Sequence, residues 1–221
     1  MLTGQWFRSD TGTPWFFDAG AVALDFAHLG GFGALDAAGG ASGLGPESGS
    51  ATSPGGTPWD GLLVPADLDH WLGERFEGLT GGASERELVD ARALRDVLAR
   101  LAVAAADGDA PGADDVDTLN LFAALPDVPP ALAGGRRRAG AARVRTAQAL
   151  ASVARDGVRV LDSVGFAAGE GARLRRCQNP ACGLVFLDES RAASRRWCSM
   201  QRCGNRAKVR AHRARRGEAP A

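Results

Sequence analysis

The chain has 221 residues, 45% of them hydrophobic, and 26 Lys and Arg balance 26 Asp and Glu. That length gives one moderate domain with a real core plus a small appendage. No run of about eighteen apolar residues occurs, and the start MLTGQWFRSD lacks a basic stretch leading into an apolar one, which argues against a membrane span or a secretory leader and makes the cytoplasm the expected compartment.

The zero net charge hides a division. Residues 171–221 hold 13 of the 26 basic side chains and 3 of the 26 acidic ones, so the first 170 residues stand at about −10 and the rest at about +10. Such segregation predicts a tail that meets a polyanion and a body with another task; pairing of tail with body inside one molecule is the alternative. Among the basic residues only Lys208 is not Arg, and Tyr is absent, as GC-rich coding would produce, so the choice of Arg at any one position carries little information.

In chain order, Trp15 to Ala27 is a short apolar segment whose periodicity fits either a strand pair or a buried helix, and core in both cases. From Gly39 to Pro58, sixteen of twenty residues are Gly, Ser, Pro or Thr, which predicts a flexible surface insertion at 39–58. A short helix follows Pro65, with Leu68, Trp71, Leu72 and Phe76 on one face, ended by Gly78, Gly81 and Gly82. Ser84 and Glu87 form a capping box for a long helix with Leu88, Ala91, Leu94, Leu98, Leu101 and Ala105 inward. A third helix starts near Asp114, with Val116, Leu119 and Phe122 inward, and Pro126 stops it. A fourth runs from about Arg143 to Ser163 with Ala147, Leu150, Ala154, Val158 and Leu161 inward, and Gly157 lowers its propensity by about 1 kcal/mol relative to Ala.

The cysteines are Cys177, Cys182, Cys198 and Cys203, two C-x4-C pairs separated by fifteen residues inside the most basic stretch. Two short knuckles can close a tetrahedral thiolate shell around zinc with no open position, which means structure and not catalysis. Two disulfides, an iron–sulfur cluster or buried free thiols are the competing uses of four cysteines; a C-x-x-C redox motif is absent. Asn179-Pro180 and Gly183 supply a turn for a β-hairpin knuckle, and the second pair leads into a helix-compatible basic run, the arrangement of a treble clef. A metal would supply folding energy that so small a segment cannot obtain from burial.

The basic run holds Arg202, Arg206, Lys208, Arg210, Arg213, Arg215 and Arg216, with Asn205 and His212 among them. Arg206, Arg210 and Arg213 stand at steps of four and three and can follow a phosphate rail; Asn205 can pair with adenine or cap the helix. Arg191, Arg195 and Arg196 lie between the knuckles as further phosphate contacts, Trp197 reads as packing, and Asp188 with Ser190 reads as a local turn or a pair orienting an Arg or a sulfur. No aromatic platform of the kind single strands favour accompanies the run. His28 and His70 with Asp25 or Asp67 have no nucleophile placed beside them, and an enzyme is not expected.

Residues Cys177–Arg216, with Phe186, Asp188, Ser190, Arg195–Met200 and Cys203-Gly204-Asn205-Arg206-Ala207-Lys208, resemble the CGNR zinc-finger family of bacterial proteins. Upstream, Leu24-Asp25-Phe26-Ala27 and then Leu62–Leu72 with Pro65, Asp67, Leu68 and Trp71 resemble the ABATE domain that precedes this finger in proteins grouped as stress-induced transcription regulators. The resemblance implies one structural zinc on Cys177, Cys182, Cys198 and Cys203, and DNA binding by the helix after Cys203. His28-Leu29 replaces the expected Asn-Thr, and the 39–58 insertion is long.

The sequence therefore predicts a mainly α protein. Residues 1–170 form an ABATE-like helical domain that oligomerises or senses a ligand, and 171–221 form a treble-clef-like zinc module, a β-hairpin plus a basic helix. The expected partner is duplex DNA, contacted by Arg195, Arg196, Arg202, Asn205, Arg206, Lys208, Arg210 and Arg213, in transcription regulation. RNA binding and docking on an acidic protein are the alternatives.

Overall fold

The computed structural model describes residues 2–8, 14–30, 60–130, 143–166, 172–179 and 182–217; the predicted insertion at 39–58 lies outside them. An antiparallel hairpin opens the chain, β1 (Gln5–Arg8) with β2 (Pro14–Phe17), in the register Trp6↔Phe16 and Phe7↔Trp15. The apolar segment after it divides: its first residues belong to β2, and Val22–Ala27 form α1, buried along its whole length. The buried-helix reading of 15–27 is thus realised from Val22 on, while the expected strand pair is a single strand whose partner, β1, lies upstream and was not anticipated.

Pro65–Gly73 form α2, with Pro65 in the first turn and the Asp67 carboxylate accepting from the N–H groups of Leu63 and Val64. It stops at Gly73, earlier than the glycines at 78–82 suggested. Phe76 is nonetheless buried, because its N–H still donates to the Leu72 carbonyl and turns the ring inward. Glu85–Asp107 form α3, capped as predicted: the Glu87 N–H donates to Ser84 Oγ at 3.2 Å and the Ser84 N–H to the Glu87 carboxylate at 2.8 Å. All six predicted inward residues of α3 are buried. Ala113–Ala124 form α4, with Leu119 buried and Val116 and Phe122 packed at the core's edge.

Thr146–Val164 form α5, and its buried stripe is rotated from the predicted one: Thr146, Ala149, Leu150, Val153, Ala154, Gly157, Val160 and Leu161 face inward, while Ala147 is exposed and Val158 half-buried. Gly157 explains the rotation. A Cβ there would lie 2.5 Å from Leu98 Cδ2 of α3 and 3.5 Å from Ala23 Cβ of α1, so the missing side chain lets three helices meet. α3 is the central helix, with α1, α2, α4 and α5 packed on it.

The four-cysteine segment is built on a second antiparallel hairpin, β3 (Leu174–Arg176) with β4 (Val185–Leu187). A π-helical turn, Met200–Gly204, then runs directly into α6 (Asn205–Arg216). This segment is docked on the bundle. Leu174, Val185 and Phe186 join one continuous apolar core with α1, α3 and α5, and β3 and β4 pack on α3. Polar ties surround the seam: His28 Nε2 donates to the Val185 carbonyl at 2.8 Å, the Leu187 N–H donates to the Ala19 carbonyl at 2.8 Å, and Arg176 pairs with Asp107 at 2.9 Å. The fold is mainly α, as the sequence predicted, with two small hairpins among the described residues, of which the sequence predicted the second.

Candidate zinc centre and basic helix

The first two cysteines sit where the β3–β4 hairpin turns. The Cys177 N–H donates to the Leu184 carbonyl and the Cys182 N–H to the Asn179 carbonyl, so backbone bonds set the first knuckle. The second knuckle is set by the π-helical turn, where the N–H groups of both Cys203 and Gly204 reach the Ser199 carbonyl at 3.0 Å. The wider turn places Cys203 opposite Cys198.

All four sulfurs are buried and lie within 4.8 Å of one another, with 3.5 Å between Cys182 and Cys198 and between Cys198 and Cys203. A tetrahedron with zinc–sulfur bonds of about 2.3 Å has edges of about 3.8 Å. Four buried thiols this close cannot all ionise unless a cation neutralises them, and a metal at the centre does so by binding all four as thiolates. These four cysteines form a site for one zinc ion, with no fifth position for a substrate.

Around the sulfurs the neighbours have assigned tasks. Asn179, 2% exposed, donates from Nδ2 to Cys203 Sγ at 3.3 Å and accepts at Oδ1 from Arg210 Nη2 at 3.0 Å, so a buried amide links the metal site to α6. Asp188 is fully buried and accepts from the N–H groups of Ser190 and Arg195 at 2.9 and 2.7 Å. Desolvation pushes its carboxyl up, but hydrogen bonds from Ser190 and Arg195 and the charge of Arg175 outweigh it and hold it below the ordinary carboxylate range. The guanidinium of Arg195 in turn lies 4.2 Å from the Phe186 ring and donates to the carbonyls of Trp197 and Cys198. The Asp188–Ser190 pair therefore orients an arginine, one of the two roles anticipated for it. At Gly204 a Cβ would come within 2.7 Å of Met200 Sδ and 3.3 Å of the Trp197 ring, so a larger residue there would displace the exposed Met200 side chain.

Arg195 closes the second knuckle, as above. Arg196 is exposed, donates to Gln178 Oε1 at 2.6 Å and stands 5.3 Å from the Trp197 ring. Arg202 lies 4.0 Å over the ring of Trp15 in β2. Asn205 donates back to the Gln201 carbonyl at 3.3 Å and does not cap, since the helix already begins at the π-helical turn. Arg206, Lys208, Arg213 and His212 are exposed on α6, which has no buried residue. Arg210 turns toward Asn179, away from the rail it was expected to share with Arg206 and Arg213.

The groups weighed for acid–base chemistry have other partners. Asp67 caps α2, His70 is exposed beside Glu74 at 3.6 Å, and His28 serves the seam. Burial pushes the Asp25 carboxyl up to about 7 against the N–H donors of Gly4 and Ala19 and the charge of Arg75, and burial lowers His28 to about 4 despite its bond to Val185. Sequence reasoning missed an aromatic feature: Trp6 and Phe16 meet edge to face at 5.4 Å on the outer side of the first hairpin, 71% and 48% exposed. The concentration of aromatics in QWFR and PWFF, residue types that strands favour, was its signal. Among the described residues no helix is long and apolar enough to cross a membrane.

The CGNR zinc finger family model matches residues 173–216, and the ABATE family model, described as "Putative stress-induced transcription regulator", matches residues 20–164. A search of curated proteins found no match. With well over half its length matched by the second model, the chain belongs to the ABATE family and carries a CGNR zinc finger at residues 173–216.

Proposed function

We propose that the protein binds duplex DNA through α6 and regulates transcription in the bacterial cytoplasm, with zinc holding the helix in place. The observation that carries this reading is the helix itself. α6 leaves the metal site with no buried residue, cationic along both flanks, and is anchored at its root by Cys203 and the Arg210–Asn179 bond. A helix of twelve residues is about 18 Å long and fits the major groove. Binding begins with phosphate neutralisation, each contact adding about 0.9 to the slope of log affinity against log salt. Residues 1–170 then act as the oligomerising or sensing part and 171–221 as the reader. Catalysis is not part of this reading, because the metal shell is closed and the buried acid and base are engaged elsewhere.

The test is binding of the zinc-loaded protein to a random duplex pool at two salt concentrations, repeated after chelation. Enrichment of one motif that is lost with the metal is expected. Salt-sensitive binding with no enriched motif, or no binding, would overturn the reading. Single-stranded RNA is the second reading, favoured by the exposed Trp6–Phe16 pair, on which bases can stack. Competition between duplex DNA and single-stranded RNA separates the two, and a Trp6→Ala variant with undiminished RNA affinity removes the second.

A further inference from the structure

The arrangement of α6 specifies more than a cationic rod. At 100° per residue, Ala207, Arg210 and Ala214 line the side continuous with Cys203, and Ala207 is the half-buried member of the helix. Arg210 on that side is held by Asn179. Opposite lie Asn205, Val209, His212 and Arg216, at steps of four, three and four. Lys208 and Arg215, seven residues apart, form one edge of that outward ridge, and Arg206 and Arg213, also seven apart, form the other. The outward side is thus a central ridge between two cationic rails.

Val209 stands on this ridge, 50% exposed. It is the one residue of α6 larger than Ala that carries no polar group, and its β-branched side chain lowers helix propensity without any core contact in return. The rails match the phosphates on the two sides of a major groove, which turns the ridge toward the base edges. The apolar group presented there by a base pair is the C5-methyl of thymine, and the neighbouring donor–acceptor pattern suited to Asn is that of adenine. A-form RNA offers no such access, because its major groove is deep and narrow.

Resting on the duplex-DNA reading, we infer that Val209 is a specificity-determining residue that packs on a thymine methyl, beside Asn205 reading an adjacent base. Arg206, Lys208, Arg213 and Arg215 hold the backbone, and Arg210 positions the helix without touching DNA.

The experiment takes the motif enriched from the random pool and replaces each thymine in turn with deoxyuracil, which lacks the methyl and keeps the pairing edge. The unchanged protein is expected to lose about fourfold in affinity at one position, the size of one buried carbon. Val209→Ala, an exposed change that leaves the fold intact, should bind thymine and uracil duplexes alike at that position. Indifference of the unchanged protein to every replacement, with the motif still enriched, overturns this inference and leaves the duplex-DNA reading standing. Equal sensitivity of Val209→Ala at the same position also overturns it. Absence of any enriched duplex overturns both.

Discussion

Asp25 in α1 and His28 just after it are both buried, and burial moves their ionisation in opposite senses: Asp25 rises from 3.8 to about 7, and His28 falls from 6.5 to about 4. Between those values the folded chain holds a proton on Asp25 that the unfolded chain has lost, and lacks one on His28 that the unfolded chain has gained. The Asp25 contribution is full below pH about 4 and is lost as pH rises through about 7; the His28 contribution is full above pH about 6.5 and is lost as pH falls through about 4. The two slopes cancel in the shared window. Asp25→Asn, which keeps the volume, should therefore gain stability relative to the unchanged protein as pH rises, by up to about 1.4 kcal/mol per pH unit and about 4 kcal/mol in all. His28→Gln, which retains a donor for the Val185 carbonyl, should show the opposite slope, reaching about 3 kcal/mol over its narrower window. Guanidinium unfolding at fixed zinc and ionic strength, at several pH values from about 5 to about 6.5, measures both, and taking variant minus unchanged protein cancels proton-linked metal release common to them. Profiles parallel to that of the unchanged protein, or two slopes of one sign, would refute the reasoning.

Chelating the zinc should abolish hydrogen-exchange protection across the 172–217 segment and also lower it in α1, because His28 and the Ala19 carbonyl bond to β4 and its edge; protection of α1 that survives chelation unchanged would mean that the two parts fold independently. Asn179→Ala removes the N–H donor to Cys203, and zinc affinity measured by chelator competition should fall about 10- to 100-fold, with an unchanged affinity counting against any role for the amide at the metal. Gly157→Ala gains about 1 kcal/mol of helix propensity but forces Leu98 aside in a filled core, typically about 1–3 kcal/mol, so urea unfolding should show a net loss of about 1 kcal/mol; net stabilisation would contradict the packing account.

The metal centre was legible in the sequence because ligand type and spacing are themselves the chemistry: four thiols in two short knuckles have few other uses in a basic segment. The long helices were legible through their period, and α3 matched residue by residue. α5 was read with its stripe rotated because Ala and Ser bury as readily as they expose, so the small residues at 147, 149, 151, 152 and 154 carry almost no directional signal. The first hairpin escaped because each strand is four residues long, too short for alternation to stand out from chance. The arginines were the hardest to read. Residue type fixes what a guanidinium can do, yet Arg195, Arg202 and Arg210 meet carbonyls, a ring and an amide that the fold brings from elsewhere.

On the proposed function, those engaged arginines bear on how a change in the body would reach α6. The finger's hairpin is joined to the residues flanking α1, His28 and Ala19, by two main-chain partners, the Val185 carbonyl and the Leu187 N–H, and leaving either buried and unsatisfied costs about 1–3 kcal/mol. Swinging the whole finger away also exposes Leu174, Val185 and Phe186, each worth about 1.5–3 kcal/mol when fully buried. An effector would have to discriminate between the docked and free finger by that whole sum to favour release. α6 is tied far more lightly, by the π-helical turn and the Arg210–Asn179 bond, while Arg202 in the turn rests on Trp15 of the first hairpin. A shift of that hairpin acts on the root of α6 directly, while the Phe17–His28 ring contact ties its inner face to the seam. If the body acts on DNA binding as proposed, the lower-energy route from it to α6 therefore runs through Trp15 and Arg202, and re-aims a helix whose finger stays docked.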